Sequence, residues 1–253
     1  MTISLASAWK QLLIDYPHST LECLGTFIVQ TTFFWGISAF YTSLPYVFPD
    51  FSTRHKLQKQ EKQPTKSELW ECFKIVSRNQ MVSTSLQMGL ITLNAAAGRP
   101  TSPYRFDATL PTPIEVLRDV VLGVFFREIL FYYIHRLFHH PSLYATFHKP
   151  HHRFTAPVAL ATQYSTITEH LLANVVPVSL PLIILRSHIV TFWVFLSVVL
   201  VEVTTVHSGY DFFAGSARAH DSHHEKFTVN FGTIGLLDWL HGTSASAKAK
   251  RVD

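Results

Sequence analysis

The chain has few charged residues and only two cysteines. Asp, Glu, Lys and Arg make up 15% of its 253 residues, whereas soluble domains average about 25%. Apolar residues reach 47%, so the chain lacks the polar surface of an ordinary soluble domain, and a disordered or fibrous chain is excluded. Two cysteines exclude both a disulfide framework and a zinc–thiolate site.

Long apolar runs predict several membrane-spanning helices. The uncharged stretch from Cys23 to Pro49 is long enough to span, since about 20 apolar residues cross the hydrocarbon core. The apolar stretch from Leu171 to Val201 is too long for one crossing, and its interruption around Arg186 predicts a helical hairpin. A moderately apolar segment, Met81 to Ala97, and one helix from Ile114 to His140 predict a second hairpin.

The segment after the first span is basic, which predicts the orientation of the chain. Between Arg54 and Arg78 there are seven Lys or Arg against three Glu, so we expect a cytosolic polar linker and an N-terminus on the opposite side. Because hairpins return the chain to its starting side, residues 135–170 and 207–253 are also expected on the cytosolic face. The basic residues flank apolar segments as membrane anchors, and no nucleic-acid binding is expected.

The chain contains 15 histidines, and most of them are grouped. Spacings of three and four place side chains on one helix face, close enough to converge on a metal ion. Eight such imidazoles could ligate two ions, and the alternative is a set of surface residues at the membrane boundary. A structural zinc finger is excluded because the groups contain no cysteine. Imidazole suits Fe, Zn, Cu and Ni. The groups are His135 and His139; His148, His151 and His152; His220, His223 and His224.

Further residues extend this candidate site. His207 and His170 are candidate ninth and tenth ligands. Glu128 lies two helical turns before His135 and is predicted to accept a ring N–H from a ligand histidine. The alternatives are an ion pair with Arg127 and a residue of the cytosolic interface. Asp211 follows His207 by four residues, which is about one helical turn. His140 and His241 have no assigned role.

These motifs resemble those of the sterol desaturase/fatty acid hydroxylase superfamily of membrane di-iron oxygenases. The resemblance covers roughly residues 114 to 243 and includes HxxxH followed by two HxxHH boxes. The HKPHH motif from His148 is similar to sterol C-5 desaturases, whereas the HSGYD motif from His207 is similar to C-4 methylsterol oxidases and cholesterol 25-hydroxylases. One departure is Thr166-Ile167, where many relatives have His-Pro.

The resemblance implies an all-α, multi-span integral membrane protein with a cytosolic histidine-rich di-metal cap. Two iron ions would serve an O2-dependent hydroxylation or desaturation of a sterol or related lipid or terpenoid, with Glu128 and Asp211 orienting ligands. A fatty acid or sphingolipid hydroxylase, or a tailoring oxidase of secondary metabolism, is the alternative. The expected regions are the N-terminal span, linker and second apolar segment (residues 1–113), the di-iron domain (114–243) and a basic tail (244–253).

The resemblance also implies a separate electron donor, such as cytochrome b5 or its reductase, and the endoplasmic reticulum membrane as the location. Two other classes of protein compete with an oxygenase. A membrane metal transporter usually places its ligands near the bilayer midplane, and here the uncharged span interiors contain no ligand candidate. The other is a catalytically dead interaction protein, and the presence of all eight expected histidines argues against it.

Overall fold

The described part of the chain, residues 4–213 and 215–246 of a computed structural model, is all-helical and contains no β-strand, as the sequence predicts. Residues 247–253, most of the expected basic tail, lie outside the described residues. The α-helices are α1 (Leu5–Asp15), α2 (His18–Val29), α3 (Ile37–Val47), α4 (Pro49–His55), α5 (Lys66–Ala96), α6 (Pro113–Phe138), α7 (Pro141–Leu143), α8 (Ile167–Glu169), α9 (Val176–Ile184), α10 (Ile189–Val206), α11 (Ser216–Lys226) and α12 (Leu236–His241).

Shorter segments with tighter or wider helical turns connect these elements. A π-helical segment, Gln30–Gly36, joins α2 to α3 into one continuous rod, and another, His170–Val175, joins α8 to α9. A third π-helical segment and three 3-10 turns occupy the connections around the histidine motifs and the basic linker: Tyr144–His148, Gln60–Lys62, His151–Arg153 and Ala159–Gln163.

Three helical segments of the described chain are long and apolar enough to cross a membrane: His18–Val47, Ile167–Ile184 and Ile189–Val206. The first begins before the predicted Cys23 and ends just before Pro49, because Phe48 leaves the helical conformation and Pro49 starts α4. The other two form the predicted hairpin. Their break lies at Arg186, whose backbone is left-handed with φ +50°.

The polar linker is shorter than the sequence predicted. The prediction placed it from Arg54 to Arg78, but α5 begins at Lys66 and continues without a break to Ala96. The start is a capping box, in which the Glu68 carboxylate accepts the Thr65 N–H and the Thr65 hydroxyl accepts the Glu68 N–H. Two backbone N–H groups that would otherwise lack a partner at the helix end are therefore satisfied. This stabilises a helix start at Lys66, and the polar first half of α5 is helical.

Glycines let the helices of the bundle pack closely. At Gly123 in α6, an added Cβ would lie 2.8 Å from the side chain of Leu182 in α9 and 3.0 Å from Phe195 in α10. Gly25 in α2 is covered by the indole of Trp193, 2.1 Å from the same hypothetical atom. The core of the bundle, centred on the fully buried Leu182 and Phe195, therefore depends on the absence of side chains at these glycines.

The bundle has two chemically different ends. At one end, the Trp9 indole donates to the Asp107 carbonyl at 2.8 Å, and the Arg105 N–H donates to Ser187 O at 3.1 Å. At the other, which we call the histidine end, the Lys56 ammonium donates to Ser208 O at 2.9 Å. The continuous rod of α2 and α3, and then α5, α6, α9 and α10, each run between the two ends. All three histidine motifs consequently share one end.

Candidate metal centre

Helix ends position the histidines. His135 lies in the last turn of α6 and His139 caps that helix, while His207 caps α10. The next motif lies on short helical turns: His148 ends a π-helical segment, and His151 starts a 3-10 turn. The last motif lies on α11. Backbone that reverses direction at one end of the bundle thereby brings together residues that are far apart in sequence.

Nine histidines converge into two groups. Within each group the candidate ligand nitrogens all lie within 4.8 Å of one another. All nine side chains are buried except those of His139 and His220, which are partly buried. The first group consists of His135, His139, His148, His152 and His223, and the second consists of His151, His207, His220 and His224.

Hydrogen bonds at Nδ1 set the tautomer of five of these rings. A carbonyl or carboxylate oxygen can only accept, so the ring nitrogen facing it carries the proton and Nε2 presents a lone pair. The five contacts are His135 to Phe231 O (2.7 Å), His223 to Val229 O (2.7 Å), His207 to Val203 O (2.8 Å), His151 to Tyr164 O (3.2 Å) and His148 to Glu169 Oε1 (2.6 Å).

The Nε2 atoms of His135 and His148 lie 3.1 Å apart. With Phe231 O and the ionised Glu169 carboxylate as acceptors, both rings carry their proton on Nδ1, so two lone pairs face each other in a buried site. That contact is repulsive unless a cation lies between or beside the two nitrogens. In the second group, His220 Nε2 lies 2.8 Å from His207 Nε2 and 3.0 Å from His224 Nε2. The donor set of both groups therefore fits a divalent metal that accepts imidazole ligands.

Burial keeps these imidazoles neutral. Desolvation lowers the pKa of His139 to about 2, of His207 to about 3 and of His151 to about 4. The same cause, with neighbouring histidines adding to it, lowers the pKa of the other members well below the ordinary value. Because a metal binds the neutral ring, both groups are in the ligand form at neutral pH.

His170 does not join either group. Its Nε2 lies 2.7 Å from the Ser83 hydroxyl of α5, so the expectation of a tenth ligand is not met by the geometry. His140 is exposed and its Nδ1 contacts Ser142, and His241 stacks on Tyr132. That the nine converging histidines bind metal stays a prediction.

Glu128 has a different role from the predicted one. Its carboxylate accepts backbone N–H groups from Thr233 at 2.7 Å, Ile234 at 3.0 Å and Leu237 at 3.1 Å, and the Nδ1 of His135 bonds to Phe231 O instead. Glu128 thus ties down the loop whose carbonyl orients His135. It misses the predicted contact because this loop approaches the same face of α6.

Two other predictions, the ion pair between Glu128 and Arg127 and the orienting role of Asp211, also differ from the geometry. Arg127, the alternative partner of Glu128, forms an ion pair with Glu202 at 2.9 Å. Asp211 accepts from Arg218 at 3.1 Å and contacts no histidine of the two groups in the described part of the chain. The residue that does contact a ring is Glu169, at His148. In the sequence, Glu169 could have been noticed as the one carboxylate at the start of an apolar span. Thr166 caps the helix there, because its hydroxyl accepts the Glu169 N–H.

A second acidic residue that the sequence did not single out supports the site. Asp238 accepts the N–H of Phe231 at 2.9 Å, the N–H of Gly232 at 2.7 Å and the hydroxyl of Thr243 at 2.6 Å. It is buried. With Glu128 it fixes the loop between α11 and α12, and this loop supplies the carbonyl acceptor for His135.

A mostly apolar cavity of about 1440 Å³ reaches both histidine groups. Its walls come from α2, α5, α9 and α10, and its inner end includes His135 and His148 of the first group and His151 and His207 of the second. Ligand pockets are commonly about 300–1,000 Å³, so this space is large enough for a whole lipid.

These features define a helical protein with apolar spanning helices and buried histidine clusters suited to metal binding. The family profile described as "Fatty acid hydroxylase" matches residues 120–243. Fatty acid hydroxylase domain-containing protein 2 of Macaca fascicularis is 31% identical over 246 residues, which cover 95% of this chain and 72% of that protein. The chain belongs to the fatty acid hydroxylase family, in agreement with the superfamily that its histidine motifs indicate.

Other relatives carry different activity names. Methylsterol monooxygenase 1 of Rattus norvegicus is 28% identical over 258 residues, covering 96% of this chain and 84% of that protein. Fatty acid hydroxylase ahd1 of Mycosarcoma maydis is 32% identical over 203 residues, covering 79% of this chain and 52% of that protein. No solved structure matches the chain. The family therefore indicates an oxygenase of lipids without selecting one lipid.

Proposed function

We propose that the chain is an O2-dependent, membrane di-iron oxidoreductase that hydroxylates or desaturates a C–H bond of a sterol or a related lipid or terpenoid. The observation that carries the proposal is the pair of histidine groups opening into one apolar cavity. Membership of the fatty acid hydroxylase family supports the reaction class. A fatty acid or sphingolipid hydroxylase, or a tailoring oxidase, is the alternative within this class.

The residues present fit two iron ions. One ion would be held by the group around His135 and His148, and the other by the group around His207 and His224. Bound iron would supply the one-electron chemistry and O2 activation that amino-acid side chains cannot. Nine ring nitrogens exceed the needs of one ion, which is the reason for proposing two.

The protein's own residues do the positioning. Phe231 O and the Glu169 carboxylate hold the rings of His135 and His148 with Nε2 turned inward, and such support typically changes metal affinity or activity about 10–100-fold. The burial that keeps the imidazoles neutral also excludes water, which protects a reactive site from side reactions. The apolar walls hold the hydrocarbon part of the substrate against the two groups.

Electrons for this reaction would come from a separate protein such as cytochrome b5 or its reductase. We further propose an endoplasmic reticulum location with the histidine end facing the cytosol, on the basis of the basic segment that starts at Arg54 and adjoins this end. We also retain residues 114–243 as the di-iron domain, which closely follows the matched range of residues 120–243.

A membrane metal transporter is the competing class. Both histidine groups lie at helix ends, whereas transporters place ligands near the midplane on broken helices. Metal content separates the two: about two tightly held irons per chain support the oxygenase, and freely exchangeable zinc supports transport.

The decisive experiment is untargeted lipid mass spectrometry on a host that expresses the wild-type chain, His151→Ala or the matched control His140→Ala. A species heavier by one oxygen, present with wild type and His140→Ala but absent with His151→Ala, would support hydroxylation. A species lighter by two hydrogens with the same pattern would support desaturation. Product formed equally by all three chains would contradict the assignment of the site.

A further inference from the structure

A polar cluster lines the cavity near the start of the first apolar span. Glu22 of α2 is only 3% exposed, and its Oε1 accepts the carboxamide N–H of Gln87 from α5 at 2.9 Å. The Ser102 hydroxyl lies close to the same carboxylate. All three residues line the cavity that reaches the histidines. We call them the Glu22 cluster.

The carboxylate of this cluster has unused hydrogen-bonding capacity. Glu22 Oε2 is buried and has no hydrogen-bond donor in good geometry among the described residues, although the Ser102 hydroxyl is close to the carboxylate. An unpaired buried carboxylate oxygen is costly, so such groups normally have a donor. A ligand in the cavity can supply that donor, because the cluster forms part of the cavity wall.

The Glu22 cluster lies well away from the histidine groups. On α5, Gln80 donates to Gln163, which is next to the Tyr164 carbonyl that accepts from His151, and Gln87 lies seven residues further along. On the other wall, thirteen residues separate Glu22 from Trp35, which donates to Gln80. At 1.5 Å per residue these two paths place the Glu22 cluster roughly 10–20 Å along the helices from the level of Gln80, which is linked through Gln163 to the segment that carries the acceptor of His151.

We propose that the Glu22 cluster binds the hydroxyl group of an uncharged lipid alcohol whose attacked carbon lies at the histidine groups. The inference rests on the proposed function for the attacked carbon, but the hydroxyl site itself does not. A carboxylate oxygen accepts a hydroxyl proton, and the Gln87 carboxamide and Ser102 hydroxyl can contact the lipid oxygen. An anionic headgroup would be repelled by the carboxylate, whereas the hydroxyl of an uncharged lipid meets the unpaired oxygen without bringing a further charge into an apolar cavity.

Binding to purified full-length protein tests this proposal without any turnover. The probes are two pairs that differ only at the polar group: octadecan-1-ol with its methyl ether, and cholesterol with its 3-methyl ether. In the pair whose hydrocarbon part fits the cavity, wild type should bind the alcohol about 10–100-fold more tightly, because the ether leaves the carboxylate unpaired. Octadecanoic acid, the anionic probe, should bind more weakly than octadecan-1-ol.

Variants link the preference to the cluster. Glu22→Leu should reduce the alcohol-to-ether ratio to about one while leaving the affinity for the ether in place. Glu22→Gln keeps the side-chain shape and one carbonyl oxygen, and should lower the ratio severalfold. The matched control is Ser179→Ala, since Ser179 lines the same cavity but its hydroxyl already donates to Val175 O at 2.8 Å. This variant should keep the wild-type ratio.

Equal binding of alcohol and ether by wild type in both pairs, tighter binding of octadecanoic acid, or an unchanged ratio in both Glu22 variants would each overturn the proposal. These results are independent of catalysis. A protein that prefers the alcohol but forms no oxidised lipid with iron, O2 and reductant would retain the hydroxyl site and lose the proposed function. An active enzyme that binds the alcohol and the ether equally would retain the proposed function and lose the hydroxyl site.

Discussion

The Glu169 carboxylate accepts a hydrogen bond from Nδ1 of His148 at 2.6 Å, and both side chains are buried. Glu169 lies in the first turn of the apolar span Ile167–Ile184, where a carboxylate is costly to bury without a partner. Its second oxygen, Oε2, has no hydrogen-bond partner in the described chain. The unfavourable burial of this carboxylate therefore occurs where the carboxylate orients a candidate ligand, His148.

Replacement of Glu169 tests this relationship. Glu169→Ala should lower iron content or activity by about 10–100-fold, because the His148 ring loses the group that turns Nε2 inward. Glu169→Gln should retain more of both, since the carboxamide oxygen can still accept the proton. Iron per chain is measured by mass spectrometry on protein of equal helical content, with the exposed Glu61→Ala as control. Wild-type iron content in Glu169→Ala would remove Glu169 from the metal site.

The nine converging histidines could be identified as candidate ligands from the sequence because their signal is local. Spacings of three and four residues place His220 and His224 on one face of a helix whatever the rest of the fold does. The predicted break near Arg186 is local in the same way, since a polar interruption of an apolar run ends a span. The partition of the nine histidines into two groups is different, because it depends on how the end of α6, the short turns from His148 to Arg153, the end of α10 and α11 pack together.

The supporting carboxylates were not predictable for the same reason. Glu128 is on the predicted stripe with His135, but helical spacing does not reveal that the loop at Thr233 would reach it first. Glu169 and His148 are paired across two chain reversals. The early start of α5 is a different case, since the capping box of Thr65 and Glu68 is visible in the sequence and outweighs the polar composition that suggested a linker.

Removing one ligand from each group should affect the metals separately. We expect His224→Ala and His135→Ala each to reduce tightly held iron from about two ions per chain to about one, because the two groups have no member in common. His140→Ala, next to a candidate ligand but exposed, should retain both. Metal analysis after desalting gives the count. Loss of both ions in each variant would indicate one shared site, and no loss would exclude the ligands.

The loop at Gly232 should be intolerant of a side chain. A Cβ there would lie 2.5 Å from Glu128 Oε1 and 3.0 Å from Asp238 Oδ2, the two carboxylates that hold the loop. Gly232→Ala should therefore lower the free energy of unfolding by about 1–3 kcal/mol. Gly89→Ala is the control, since Gly89 lies in α5 with no atom within 4 Å of an added Cβ, and it should be neutral or stabilising by up to about 1 kcal/mol. Equal melting temperatures would show that the loop adapts.

The metal-free protein should lose stability in mild acid. Burial lowers the folded-state pKa of His151 to about 4, of His207 to about 3 and of His139 to about 2, while the unfolded chain titrates near 6.5. Below that value the unfolded chain binds more protons, so the contribution of each neutral histidine is complete above about pH 6.5 and is lost as the pH falls towards its folded pKa. The loss is about 1.4 kcal/mol per histidine for each pH unit.

Thermal unfolding of chelator-treated protein in detergent, between pH 7.5 and 5, measures this loss. His207→Gln should have a shallower dependence on pH than wild type, because one of the histidines that must be protonated on unfolding is absent, whereas the exposed His140→Gln should match wild type. Added iron should shift the acid transition to lower pH, since metal and proton compete for the same ring nitrogens. A melting temperature that is independent of pH across this range would mean that the nine imidazoles are not buried as neutral rings.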